Sequence, residues 1–149
     1  MKNLILSAAI LISITAAAAT PDTNPENEKV LKTFREVFKN PANAVWSNVG
    51  DYYEVFFTNA SVKTRAKFDS NGSLIETVRY YKESELPANV LYHVKKAYPA
   101  KEVWGVTEVT NNNGVNYRIV LRDAKNYLHI NANDAGETET VSKYKRGDK

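Results

Sequence analysis

The chain has 149 residues, 43% of them hydrophobic and 25% charged, with no cysteine and a formal net charge of +3. It is too short for two ordinary domains and long enough for one good core. The missing cysteines exclude a disulfide-stapled scaffold, cysteine-based zinc and iron–sulfur sites and a thiol nucleophile, and so small a charge does not make the basic stripe of a nucleic-acid binder.

The chain opens on Lys2 and an apolar run from Leu4 to Ile14, followed by Thr15 and the small residues Ala16 to Ala19. A charged start, a short apolar stretch and a small-residue cleavage zone are the marks of a secretory signal peptide. The apolar run is shorter than the roughly 18–20 residues that a spanning helix needs. No basic stop-transfer cluster and no lipobox cysteine follows it. The reading is a signal peptide over 1–19, no membrane span after cleavage, and a periplasmic or secreted protein. Only Lys2 is lost from the charge balance, so the remaining chain carries 19 basic and 17 acidic residues and all 16 aromatics. With no disulfides available it must fold on its hydrophobic core alone.

Residues 20–28 are polar, contain Pro21 and Pro25, and read as a flexible lead-in. Asn24 is the expected N-cap of a first helix, with Pro25 at its first position. Val30, Leu31, Phe34, Val37 and Phe38 then form one helical face. Val45-Trp46 follows. Tyr53, Val55 and Phe57 alternate with Tyr52, Glu54, Phe56 and Thr58, and Val62, Thr64, Ala66 and Phe68 alternate with Lys63, Arg65 and Lys67. Both patterns are half-buried strands. Asn71-Gly72 is a hairpin signal before a strand over Ser73 to Lys82.

Sixty residues after the first helix, Val90, Leu91, Val94, Ala97 and Tyr98 occupy the same five offsets. Val103-Trp104 follows, as Val45-Trp46 does after the first helix. Strands over Glu102 to Thr110, around Tyr117, Ile119 and Leu121, around Leu128 and Ile130, and over Glu137 to Lys145 complete the chain. Asp69-Ser70-Asn71-Gly72 and Thr77-Val78-x-x-Tyr81-Lys82 recur as Asn133-Asp134-Ala135-Gly136 and Thr140-Val141-x-x-Tyr144-Lys145. Four matches in one order indicate an internal repeat of about 60 residues. The expected fold is α+β: a tandem repeat (29–83 and 84–146, within a domain over 29–146) of helix plus antiparallel β-meander. The sheet has up to eight strands, with two helices on one face.

Chemistry-bearing patterns are few. His93 and His129 stand in no metal-ligand spacing, and no nucleophile elbow, P-loop or dinucleotide-binding glycine pattern occurs. Asp69-x-Asn71-Gly72 resembles the start of a calcium loop, but its twelfth position is Tyr80 and not a glutamate. No catalytic residue, metal site or cofactor is assigned. Lys63, Arg65, Lys67 and Arg79 could form a basic strip across adjacent strands, and read as a solvated face. The aromatic surplus carries the functional expectation. Tyr52 and Phe56 should lie on the sheet face away from the helices, and Trp46, Trp104 and Tyr81 complete the candidate protein-binding face. Exposed Tyr and Trp on a rigid sheet have the composition of a binding hot spot.

Asn43-Ala44-Val45-Trp46, Asp69-Ser70-Asn71-Gly72 and Glu85-Leu86-Pro87-Ala88-Asn89-Val90 resemble the PepSY-like family, also called β-lactamase-inhibitor-like, of exported Bacteroidota proteins. The likeness covers nearly all of 28–146. It implies a fold like that of β-lactamase inhibitory protein, two repeats whose sheet offers a concave face to a partner. That inhibitor carries disulfides and this chain has no cysteine; no stretch resembling its inhibitory loops occurs here, so no functional residue is carried over. The resulting expectation is an exported, non-catalytic module that binds a protein or peptide through its open sheet face, with no nucleic-acid partner. Two alternatives stand beside it: an inhibitor or modulator of an exported enzyme of protease or β-lactamase type, and a small-ligand carrier.

Overall fold

The computed structural model describes residues 25–147. The signal-peptide reading over 1–19 and the cap expected at Asn24 fall outside them. The elements are α1 (Glu28–Val37), β1 (Ala42–Val49), β2 (Tyr52–Asn59), β3 (Val62–Asp69), β4 (Leu74–Tyr81), a 3-10 turn (Glu83–Glu85), α2 (Ala88–Ala97), β5 (Glu102–Asn111), β6 (Gly114–Arg122), β7 (Asn126–Asn133) and β8 (Thr138–Lys145). Each half is one helix followed by four strands. The strands form one eight-stranded sheet in chain order, every neighbouring pair antiparallel. The two halves join where β4 pairs with β5.

The first helix starts three residues later than Asn24-Pro25 implied. Asn27 is its N-cap, and its Oδ1 accepts from the N–H groups of Lys29 and Val30. The Asn27 Nδ2 also donates to the Ser70 carbonyl at 2.9 Å. Asn27 therefore satisfies helix donors and ties the helix to the β3–β4 turn at once, which a cap at Asn24 would not do. Of the expected apolar face, Val30, Phe34 and Phe38 are buried and Leu31 is partly so, while Val37 is exposed.

Both helices cover the same sheet face, over two separate cores. The α1 core is aromatic: Phe34, Phe38, Trp46, Phe57 and Phe68 with Val30, Val55 and Ala66. The α2 core is mostly aliphatic, with Val90, Val94, Val103, Ile119, Leu121, Leu128 and Ile130 among its members. Strand alternation decides which side chains reach these cores. Val62, Thr64, Ala66 and Phe68 are buried along β3, and Lys63, Arg65 and Lys67 point the other way.

The two recurring Gly turns share one geometry. The Asp69 N–H donates to the Ser73 carbonyl, and the Gly72 N–H donates back to the Asp69 carbonyl. The Asn133 and Gly136 N–H groups do the same with Glu137 and Asn133. The Asp69 Oδ1 accepts from the N–H groups of Asn71 and Ser73, and the Ser73 N–H, aided by that of Asn71, holds this carboxyl below its ordinary range. Asn133 Oδ1 likewise accepts from the Glu137 N–H. Asn89 of α2 donates to the Asp134 carbonyl at 2.7 Å, as Asn27 does to Ser70.

Gly72 and Gly136 both sit at φ +87°, where a side chain is strained. They differ in what lies above them. A Cβ at Gly72 would stand 2.8 Å from the backbone C and O of Lys29, whereas one at Gly136 would meet the His93 ring at 2.7 Å. The helix backbone cannot step aside, and an exposed imidazole can. Gly72→Ala is therefore expected to destabilise the protein by about 3 kcal/mol and Gly136→Ala by roughly half that. Urea unfolding of the two variants measures the difference.

Candidate functional site

The helix-free face is the candidate site, and strand register defines its membership. Directly paired residues of an antiparallel sheet share a face. Val45 pairs with Phe56 and Val49 with Tyr52. Phe56 pairs with Arg65, and Lys63 pairs with Tyr80. The row continues through Thr107 and Arg118 to Asn131, and further along the strands Tyr127 pairs with Tyr144. None of these positions faces a helix. Seven of the ten exposed large apolar residues among the described ones lie here: Val45, Val49, Tyr52, Phe56, Tyr80, Trp104 and Tyr144.

Charges frame the apolar groups. Lys67 Nζ sits 4.0 Å from the centroid of the Tyr52 ring. Arg65 pairs with Glu76 at 3.0 Å, beside Val78, which is buried although it belongs to the open face. Trp104 is held by two cations: Arg122 Cζ lies 3.7 Å from its ring centroid and Lys82 Nζ 4.6 Å. Lys82 also donates to the Trp104 carbonyl, and Arg122 is paired with Glu102. Such cation–ring contacts fix exposed aromatics in one orientation, which lowers the entropy lost when a partner covers them.

The five residues expected on the binding face divide. Tyr52, Phe56 and Trp104 are on the open face and exposed at 41%, 48% and 41%. Trp46 and Tyr81 are corrections, at 3% and 8% exposure. Trp46 pairs with Val55, an inward residue, and its ring meets Phe34 edge-on at 5.0 Å. Tyr81 pairs with the inward Val106. Arg79 is also corrected, because it pairs with the inward Thr64 and so leaves the basic strip of Lys63, Arg65 and Lys67. Tyr80 and Val45 also belong to the face.

On the helix side, β4 and β5 bury a polar cluster where the two halves meet. Glu108 accepts from the Tyr81 hydroxyl at 2.6 Å and from Arg79 Nη1 at 3.2 Å. Burial, with the neighbouring Glu108 carboxyl, pushes the Tyr81 hydroxyl far above its ordinary range. This cluster belongs to the joint between the two cores. His93 and His129 are apart: His93 abuts Gly136 on α2, and His129 lies against the Tyr144 ring at 5.1 Å. No group of three or more His, Cys, Asp or Glu among the described residues is placed to hold a metal ion. No helix among them is long and apolar enough to cross a membrane.

No family model matches the sequence, and no curated protein matches it. Solved structures do match. A BLIP-like protein of Bacteroides fragilis aligns with a TM-score of 0.61 at 17% identity, over 84% of this chain and 91% of that one. A DUF2874 family protein of Bacteroides ovatus gives 0.61 at 18%, over 83% and 89%. A Bacteroides eggerthii protein described as a candidate periplasmic protein gives 0.59 at 18%, over 81% and 88%. None of the three is named as an enzyme. At these identities the likeness establishes the fold: two helices and an eight-stranded antiparallel meander of the BLIP-like kind. The resemblance carried by the sequence motifs is thus met in structure.

Proposed function

We propose that this chain is an exported, non-catalytic module that engages a protein or peptide through the helix-free sheet face. The observation that carries the reading is the concentration of exposed Tyr, Trp, Phe and Val on that face, among fixed cations. A rigid antiparallel sheet with aromatic anchors and a polar rim has the anatomy of a protein interface. Export rests on the signal-like segment over 1–19. The two halves, 29–83 and 84–146, each contribute four strands to the face. Nothing specific favours one enzyme class as target, so modulation of an exported enzyme is the narrower case of the same reading.

The test is affinity capture from the native envelope fraction with wild-type protein and a Tyr52→Ala/Phe56→Ala double variant. Both rings are solvent-exposed, so the fold should survive, which circular dichroism checks. Capture of the wild-type partner is expected to fall at least tenfold. Undiminished capture by a folded double variant would remove this face as the binding surface.

A further inference from the structure

Resting on that reading of the open face, we propose that its central groove takes an extended acidic segment of a protein partner. The segment has the pattern acidic–x–apolar–x–acidic and is seated over Gly105 and Thr107.

The groove lies where β5 places a glycine on the open face, between the β2–β3 turn and the 3-10 turn. Gly105 pairs with Val120 just past a bulge at Val103–Gly105, and a Cβ built on it meets nothing within 4 Å. The bare backbone there opens onto a depression of about 610 Å³. Gly105, Thr107 and Val120 bound it on one side, and Lys63, Tyr80 and Lys82 on the other. The β2–β3 turn closes one end, with Ala60 and Ser61 both at positive φ, 46° and 69°. Both positive values are what a two-residue hairpin loop between β2 and β3 requires.

The chemistry around the groove is one-sided. Arg65 and Arg122 elsewhere on the face are neutralised by Glu76 and Glu102. No ion pair among the described residues involves Lys63, Lys82 or Arg118. Glu85 is the one carboxylate lining the groove, and it stands on the 3-10 turn beyond the strands. The groove thus offers the unpaired Lys63, the Tyr80 ring and an apolar wall at Val120, with the unpaired Arg118 one strand beyond Thr107; Lys82, which also lines it, is engaged with the Trp104 carbonyl and ring.

Spacing selects the occupant. Lys63, Tyr80, Thr107 and Arg118 are consecutive cross-strand partners. Neighbouring strands lie about 4.8 Å apart, so Lys63 and Arg118 are about 14 Å apart at the backbone. An extended peptide rises about 3.3 Å per residue, so side chains at i and i+4 are about 13 Å apart and point the same way as that at i+2. A peptide crossing the strands can set one carboxylate at Lys63, another at Arg118 and an apolar side chain into the depression between them. An anionic polysaccharide supplies the charges and lacks the apolar group. A bilayer surface supplies neither at fixed spacing.

The probe is a fluorescein-labelled synthetic peptide containing Asp-Ser-Leu-Ser-Asp, titrated with the purified protein and read by anisotropy. Saturable binding is expected. It should weaken at least tenfold in Lys63→Glu/Arg118→Glu, in Gly105→Leu, and when the leucine is replaced by glycine or the aspartates by lysine. Added salt should also weaken it, because the paired charges are exposed. Gly105→Ala, for which there is open space, serves as the folding control and should match wild-type stability. No binding would overturn the proposal, as would binding indifferent to these variants. So would polygalacturonate or anionic phosphatidylglycerol vesicles binding as tightly and through the same residues. The broader reading is separable. If the peptide fails but Tyr52→Ala/Phe56→Ala still abolishes envelope capture, the open face stands and the acidic segment falls. If neither changes anything, both fall.

Discussion

Phe34→Ala is expected to destabilise the protein by about 4 kcal/mol, within the roughly 3–5 kcal/mol range for emptying a buried aromatic site. Phe34 is the hub of the α1 core. Its ring lies 5.5 Å from Phe38, 5.0 Å from Trp46, 5.1 Å from Phe57 and 6.4 Å from Phe68. Edge-on aromatic pairs of this kind add about 0.5–1.5 kcal/mol each beyond the area they bury. The four partners also brace one another, with Phe38 and Phe57 at 4.7 Å, so the cavity cannot collapse without moving rings on β1, β2 and β3. The same offset in the second half is occupied by Val94, which packs among aliphatic side chains at 1% exposure. Val94→Ala removes fewer atoms and no ring contact, and should cost about half as much. Differential scanning calorimetry should show the melting temperature falling by about 10 °C or more for Phe34→Ala and clearly less for Val94→Ala. Equal losses would contradict the role of Phe34 as the hub of the α1 core.

Glu108→Ala is expected to cost about 3 kcal/mol, for a different reason. Glu108 is 8% exposed and is the acceptor for both the Tyr81 hydroxyl and the Arg79 guanidinium. Removing it leaves a buried hydroxyl and a partly covered cation unpaired, which is the expensive way to break such a cluster. Arg79 retains some access to water, which keeps the figure at the lower end of the range for buried pairs. Replacing the ionic partners together, as Arg79→Met/Glu108→Leu, leaves only the Tyr81 hydroxyl unpaired and should recover most of the loss. The cluster also gives stability a dependence on alkaline pH. The Tyr81 hydroxyl holds its proton in the folded state well above the ordinary value of 10.0, because of burial and the adjacent Glu108 carboxyl. Above that pH the unfolded chain releases this proton and the folded chain keeps it. The unfolded state then binds fewer protons, so stability falls as pH rises past 10. Burial raises Tyr117 in the same direction. The comparison must therefore be wild type against Tyr81→Phe. Urea unfolding at pH 8 and pH 11 should show a smaller alkaline loss in the variant, and equal losses would contradict this role for Tyr81.

Much of the fold was legible because most strands obey a simple alternation. On β3 the inward row is Val62, Thr64, Ala66 and Phe68 and the outward row is cationic, so polarity and face agree. On β4 they disagree. The inward row is Thr77, Arg79 and Tyr81, while the outward row carries Val78 and Tyr80. An inverted pattern of this kind hides a buried polar cluster, and Tyr81 was misplaced for that reason. Arg79 was misplaced with it. The one readable hint was Glu108, a charge set between Val106 and Thr110 on an inward row. The two tryptophans show the second limit. Trp46 and Trp104 hold matching places after their helices, but the irregularity in β1 falls between Ala42 and Val45, before Trp46, and that in β5 falls between Val103 and Gly105, around Trp104. A bulge shifts the face of every residue beside it. One indole therefore enters the α1 core and the other reaches solvent. A glycine within a strand marks bulges and bare backbone, and Gly105 was the available signal for both the turned tryptophan and the groove.

The exposed residues outside the open face provide the contrast that the functional reading needs. Tyr92 projects from α2 at 61% exposure, more than any aromatic residue of the open face. Simple exposure would therefore favour Tyr92 as a contact, and the clustering of weaker-exposed rings favours the sheet. Site-specific photocrosslinking in the native envelope separates the two most directly. A photoreactive amino acid is placed at Phe56 in one protein and at Tyr92 in another. A discrete protein adduct from position 56, absent from position 92 and suppressed by Tyr52→Ala, is the predicted result. An adduct from position 92 with none from position 56 would contradict the assignment of the helix-free face.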